Sequence, residues 1–188
     1  PLIIHEQNAV PGLSNRILAH FARRVLQGFP GSFAAKVHAI TTGNPVRADI
    51  AAISAPRART HDGGPLNVLV FGGSRGARAL NEHVPQALAQ CGIENLRVRH
   101  QCGADDVAAT AARYAQARNV TDSEVVPYID DMTGAYAWAD LVIARAGASS
   151  IAEIAACGVA SILIPYPYAV DDHQSANAHY LATGKAAV

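Results

Sequence analysis

The chain has 188 residues, of which 50% are hydrophobic and 16% charged; this excludes a disordered segment and allows one domain plus part of another. Fifteen Lys and Arg balance fifteen Asp and Glu, so no net field draws the chain to nucleic acid or an anionic membrane, although a local basic patch stays open. Three cysteines, Cys91, Cys102 and Cys157, include no C-x-x-C pair, which argues against a disulfide framework or zinc site, fits a reducing cytoplasm, and reads all three as small buried hydrophobes.

Short apolar runs alternate with helical patterns along the chain. Strands are expected at 2–5, 25–27, 37–40, 66–71, 96–101, 124–126, 140–144 and 161–164, and helices at 13–21, 77–89, 105–118, 132–139, 150–156 and 174–183. The runs are short and bounded by Gly, Pro or polar residues, as buried parallel strands are. Strand–helix alternation predicts βαβ units: an α/β fold with Rossmann-like parallel sheets and helices on both faces. Residues 47–65 break the pattern with Pro56 and the Gly63-Gly64 pair, and read as a linker. The expected division is therefore 1–47 as the tail of one domain, 48–65 as linker, and 66–188 as a nearly complete second domain. Pro1 is followed at once by strand-like residues and the chain closes on Lys185-Ala186-Ala187-Val188, so both ends read as cuts through structure. No apolar run reaches the roughly eighteen residues that span a bilayer, and no signal peptide opens the chain.

Five segments could carry chemistry. The strand ending Val70-Phe71 runs into Gly72-Gly73-Ser74-Arg75-Gly76-Ala77 and then a helix. Glycines let a backbone turn sharply against a ligand, and a helix N-terminus offers free N–H groups to a phosphate. The spacing is neither G-x-G-x-x-G nor Walker A; a tight turn with a Ser74 cap explains it as well. A second strand end, Ala144-Arg145-Ala146-Gly147-Ala148-Ser149-Ser150, leads into a helix bearing Glu153, a carboxylate able to accept both hydroxyls of a ribose. The plainer alternative is a Ser150–Glu153 capping box. Two such turns at carboxyl ends of strands in one domain point to a nucleoside diphosphate. Third, Asp171, Gln174 and Asn177 recur at three-residue spacing after a Pro-rich loop and could meet sugar hydroxyls, or only cap a helix. Fourth, His5-Glu6-Gln7-Asn8 forms a polar loop after a strand, in which His5 and Glu6 read as braces and Asn8 as a substrate contact. Fifth, Arg47, after Gly43-Asn44-Pro45-Val46, stands at the hinge within reach of a phosphate, or is a surface arginine.

These pieces, in this order, resemble the MurG family of UDP-N-acetylglucosamine-dependent glycosyltransferases of peptidoglycan synthesis. The resemblance rests on His5 to Asn8, Gly43 to Arg47, Gly72 to Ala77, Tyr128 to Met132 with Ala135 to Asp140, Arg145 to Glu153, and Asp171 to Gln174 with Asn177. It covers nearly the whole chain outside the linker. It implies a GT-B fold, with the UDP-sugar in the C-terminal domain and the acceptor in the N-terminal one. By motif, Asn8 is expected to touch the N-acetylglucosamine, Arg47 the donor at the hinge, and Ser74 the nucleotide. Ile129 is expected to present backbone groups to the uracil. Ala148, Ser149 and Ser150, with Ile151 and Ala152 behind them, should hold the diphosphate, Glu153 the ribose, and Gln174 the sugar hydroxyls. Ser149-Ser150 stands where the family often has Leu-Thr or Met-Thr, His173-Gln174 where paired glutamines are frequent, and Arg75 where Gln is frequent.

The implied reaction moves N-acetylglucosamine from UDP to the muramyl 4-hydroxyl of lipid I, giving lipid II with inversion, at the cytoplasmic face of the bacterial inner membrane. The resemblance implies no cofactor, and the absence of an Asp-x-Asp motif agrees with a metal-independent route. It places the general base upstream of Pro1, so no residue here is assigned to catalysis, and the chain by itself is expected to bind without turnover. Two rivals are a UDP-N-acetylglucosamine 2-epimerase of the same fold and a non-catalytic UDP-sugar-binding subunit.

Overall fold

The computed structural model describes residues 1–53, 64–73, 76–168, 172–184 and 187–188. Within them lie two parallel sheets. The first is small: β1 (Ile3–Glu6), β2 (Arg24–Gln27) and β3 (Ile40–Thr41), in that spatial order, with helix α1 (Leu13–Leu18) between β1 and β2. Its core is Ile4, Val25 and Phe33. Val37, expected to begin a strand, instead closes a 3₁₀ turn over 35–37. His38 then takes a left-handed conformation (φ 52°), which stops extended pairing until Ile40.

The second sheet is built from β4 (Leu66–Phe71), β5 (Leu96–Gln101), β6 (Val120–Val126), β7 (Leu141–Ala144) and β8 (Ala160–Leu163), ordered β6-β5-β4-β7-β8. Helices α3 (Arg78–Gln90), α4 (Val107–Tyr114), α5 (Met132–Trp138) and α6 (Ala148–Cys157) connect them, and α7 (His173–Thr183) follows β8. The central strand β4 is buried on both faces, which explains why its sequence is continuously apolar rather than alternating. Val68 and Val70 pack with Leu80, Val84 and Leu88 of α3 and with Tyr114 of α4. Leu69 and Phe71 pack on the other side with Tyr136 of α5 and with Ile151 and Ile154 of α6. Val188 exchanges backbone hydrogen bonds with Ser161 (3.1 Å) and Leu163 (2.9 Å), the pattern of a further parallel bridge beside β8.

Helices begin and end within a few residues of expectation, with two informative differences. α6 starts at Ala148 rather than Ser150, because Gly147 is the cap residue. The stretch read as linker opens with a one-turn helix, α2 (Ala48–Ala51), which packs against α5 and α6. Its Ile50 is fully buried in the core that holds Phe71 and Tyr136. Ile50 and Ile53, which packs partly buried on the same core, are too few amid Ala, Asp and Arg to set a period, so the sequence conceals this anchor. Residues 54–63 of that stretch lie outside the described residues. Cys102 and Cys157 are buried as expected; Cys91, the residue after the last turn of α3, is exposed, although its sulfur lies 3.9 Å from the Asn119 side-chain nitrogen.

Candidate functional site

The strand order of the larger sheet runs outward from β4 in one direction to β5 and β6, and in the other to β7 and β8. The order therefore reverses between β4 and β7, the switch point at whose strand carboxyl ends open α/β sheets take their ligands. Phe71 and Ala144, the last residues of these two strands, are register partners. Both glycine-rich turns thus leave the sheet side by side. On the first, Gly73 and Gly76 have φ of 93° and 74°. A Cβ on Gly76 would overlap the Cys102 carbonyl, so this turn lies directly on the end of β5. Ser74 and Arg75 fall outside the described residues.

On the second turn the helix α6 opens with no side-chain cap. Its first intrahelical amide bond runs from Ile151 to the Gly147 carbonyl, 2.9 Å. The amides of Ala148, Ser149 and Ser150 are accordingly the open donors of the helix N-terminus. The capping-box alternative is not what forms: Gly147 is the cap, and the carboxylate of Glu153 instead accepts the Tyr136 hydroxyl at 3.0 Å. Ile151 is buried with its amide engaged, while Ala152 and Glu153 are half-buried.

Arg47 caps the N-terminus of α2 and pairs with Asp49 at 3.9 Å, its side chain about half exposed. Asp49 also accepts the Thr133 hydroxyl at 2.7 Å, tying α2 to α5. Ile129 lies between β6 and α5, on a cleft of about 270 Å³ shared with Arg99, Glu124, Tyr128 and Asp130. Gln174, in the first turn of α7, accepts the Tyr166 amide at 2.8 Å and so holds the loop after β8. The same loop is held from β7 by Arg145, which donates to the carbonyls of Ile164 (3.1 Å) and Pro165 (2.8 Å) and lies 5.5 Å from the Tyr166 ring centroid. Asp171 falls outside the described residues.

The loop after β1 is braced as expected. His5 donates through Nε2 to the Gly43 carbonyl, 3.1 Å. Glu6 is 3% exposed and accepts from Asn15 (2.9 Å), from the amides of Asn8 (2.9 Å) and Gly12 (3.1 Å), and from the Asn8 side chain (3.3 Å). Burial by itself raises a carboxyl pKa; here the bonds from Asn15, Asn8 and Gly12 outweigh it and hold Glu6 below the usual value.

Asn177 is different from its expectation. It is fully buried and every polar atom of its side chain is engaged within the protein. It accepts the Ala9 amide (2.7 Å) and donates to the Asn8 side-chain oxygen (3.1 Å) and the Ala146 carbonyl (3.2 Å). It joins two strand-end loops and is not available to a sugar. Three-residue spacing with Gln174 suggested one common face, but α7 turns Asn177 inward among Ala178 and Leu181. Sequence reasoning also passed over Tyr136 and Arg145. Both stand within the segments that carry the family resemblance, but neither residue type in its setting declares a partner.

An open Rossmann-like domain with two phosphate-competent turns at its switch point and a ribose-competent carboxylate, facing a second parallel sheet, is the GT-B glycosyltransferase architecture. Residues 67–188 match the glycosyltransferase family 28 C-terminal domain, and the chain belongs to that family. It is 56% identical over its whole length to the UDP-N-acetylglucosamine–N-acetylmuramyl-(pentapeptide) pyrophosphoryl-undecaprenol N-acetylglucosamine transferase of Xanthomonas campestris pv. campestris, covering 43% of that protein. It is 54% identical to the transferase of the same name from Burkholderia lata, covering 52% of it. The chain thus spans about half the length of the curated relatives it matches. The crystal structure of Acinetobacter baumannii MurG superposes with a TM-score of 0.85 at 45% identity, over 100% of this chain and 52% of that one. The Streptomyces sp. SF2575 glycosyltransferase SsfS6, complexed with thymidine diphosphate, shares the fold at a TM-score of 0.53 and 16% identity, over 100% of this chain and 51% of that one.

Proposed function

We propose that this chain is the donor-side portion of a MurG-type enzyme that transfers N-acetylglucosamine from UDP-N-acetylglucosamine to lipid I, giving lipid II with inversion. The observation that supports this reading is the register pairing of Phe71 with Ala144, from which both glycine-rich turns leave the sheet on neighbouring strands, the second leading into the helix that bears Glu153. The names of the relatives favour a transferase over a 2-epimerase.

In this reading residues 1–47 belong to the acceptor-side domain, 48–65 connect, and 66–188 hold the donor. Amides of Ala148, Ser149 and Ser150 face the diphosphate, with Ile151 and Ala152 continuing the turn toward Glu153, which takes the ribose hydroxyls. Ser74 contacts the nucleotide from the first turn. The Ile129 backbone meets the uracil edge in its cleft. Asn8 retains one side-chain N–H and one lone pair beyond its bonds to Glu6 and Asn177, enough for one sugar contact. Gln174 uses its oxygen on Tyr166 and offers its NH₂ to the sugar. Arg47 reaches the donor from the hinge.

As the acceptor hydroxyl attacks the anomeric carbon, negative charge develops on the departing UDP. Fixed amides at a helix N-terminus stabilise that charge without reorganising; removing one donor from such a site costs roughly 2.7–4 kcal/mol of transition-state stabilisation. The chain's residues assigned here bind and stabilise; none is assigned as general base. Lipid I as acceptor implies work at the cytoplasmic membrane face, by peripheral contact, in peptidoglycan synthesis and so in cell shape and division. Among the described residues no helix is long and apolar enough to cross a membrane.

The test is transfer of labelled N-acetylglucosamine to a lipid I analogue by the complete protein. Product at the acceptor supports the proposal; conversion of UDP-N-acetylglucosamine to its manno epimer without acceptor supports the epimerase instead.

A further inference from the structure

Tyr136 occupies an unusual position for a phenol. It is fully buried in α5, yet its hydroxyl emerges at the half-buried carboxylate of Glu153 on α6, 3.0 Å away. Its ring meets Phe71 edge to face, with centroids 6.0 Å apart and planes at 86°. Phe71 is the residue that launches the first glycine turn. The helix bearing Tyr136 is itself fixed at its start, where the Asp131 carboxylate accepts the Gly134 amide at 2.8 Å. One side chain therefore touches the strand beneath the first turn and the diol acceptor behind the second.

Resting on the reading of Glu153 as the ribose acceptor, we propose that Tyr136 is a positioning residue that holds this carboxylate in the orientation needed to accept both ribose hydroxyls, and so sets the preference for a ribonucleotide. A glutamate side chain has three rotatable bonds, and an exposed one samples several rotamers. A hydrogen bond from a rigid, buried donor selects one of them. The carboxylate has four lone-pair sites, so one bond to Tyr136 leaves capacity for two hydroxyls. Burial first, then the Glu153 charge and its hydrogen bond, push the phenol pKa far above its ordinary value, so the hydroxyl stays a donor throughout the working pH range.

The experiment is calorimetric titration of UDP and 2′-deoxy-UDP into the wild-type protein, Tyr136→Phe, Glu153→Gln and Glu153→Asp. The wild type should prefer UDP by about tenfold, the scale of one hydrogen bond to a charged group. Tyr136→Phe should lose most of that preference while its affinity for the deoxynucleotide stays near wild type. Glu153→Asp, too short to reach Tyr136 and the ribose together, should do the same, and carries the test should Tyr136→Phe not fold. The proposal is overturned if Tyr136→Phe keeps the wild-type preference, or weakens both nucleotides equally, while Glu153→Gln abolishes the preference; should Tyr136→Phe not fold, a Glu153→Asp protein that keeps the preference overturns it. If the wild type shows no preference, or Glu153→Gln leaves it intact, the reading of Glu153 fails and the role of Tyr136 falls with it.

Discussion

Asn177 accepts the backbone amide of Ala9 at 2.7 Å across 168 residues of sequence. The same side chain donates to Asn8 and to the Ala146 carbonyl. The loop after β1 and the loop after β7 are thereby held at a fixed distance, although they belong to different sheets. The two proposed contacts with the donor sugar and diphosphate, Asn8 and the start of α6, depend on that distance.

Replacing Asn177 by Ala leaves one amide and one carbonyl without partners in a buried setting. Each unsatisfied group costs about 1–3 kcal/mol, so the variant should lose roughly 2–6 kcal/mol of unfolding free energy in urea titration. Asn177→Asp should be worse than Ala, because a carboxylate would face the Asn8 and Ala146 oxygens instead of donating to them. Equal stability of the wild type and both variants would show that the loops are held by something else.

A second buried polar chain sits under the first glycine turn. His100 is fully buried, with Nε2 toward the Asn81 oxygen (3.1 Å) and Nδ1 toward the Tyr114 hydroxyl (2.9 Å). The Asn81 NH₂ donates to the Cys102 carbonyl (2.9 Å) and to Asp106 (2.8 Å), which fixes its oxygen toward His100. The Asn81 oxygen can only accept, so Nε2 carries a proton, and the neutral ring accepts the Tyr114 hydroxyl at Nδ1. Burial lowers its pKa from 6.5 to about 4. The unfolded chain binds the proton first, so this contribution is complete above pH 6.5 and is lost as pH falls toward 4. The loss amounts to about 3 kcal/mol over that window. Urea midpoints measured from pH 7.5 to 4.5 should fall in the wild type and fall less steeply in His100→Gln. Parallel slopes in the two proteins would contradict the assignment.

Gly76 combines a positive φ with backbone contact against the Cys102 carbonyl. Ala at this position is strained both ways, so Gly76→Ala should cost about 2–3 kcal/mol of stability or shift the turn. Where the fold survives, nucleotide affinity should fall, since the turn is displaced from the switch point. Gly12 offers a control: an added Cβ there meets nothing within 4 Å. Gly12→Ala should leave nucleotide binding unchanged; a loss of binding in both variants would remove the special role of Gly76.

The central strand β4 was legible because it is buried on both faces and reads as an unbroken apolar run, while β5 alternates; the expected bounds of β4 and β5 match those found. Both phosphate-competent turns were visible for the same reason, as glycine and small residues interrupting such runs. β3 was misplaced because left-handed His38 has no sequence signature, and α2 was hidden because it buries one residue. Within the site, Glu153 was legible as a carboxylate near a helix start, but its protein partner was not. Ser150 was the nearer candidate in sequence, whereas Tyr136, 17 residues away, is the nearer one in space. Asn177 shows the converse: three-residue spacing grouped it with Gln174, and could not say that it faces inward.

The central claim is that the switch point between β4 and β7 holds a uridine diphosphate. Calorimetric titration of the chain with UDP, UDP-N-acetylglucosamine, ADP and GDP, alongside Glu153→Ala, tests it most directly. The predicted result is binding of the two uridine ligands in preference to ADP and GDP, weakened about tenfold in Glu153→Ala, the loss of one charged hydrogen-bonding group. A folded chain that binds no nucleotide, or binds all four alike and is indifferent to Glu153→Ala, would contradict it.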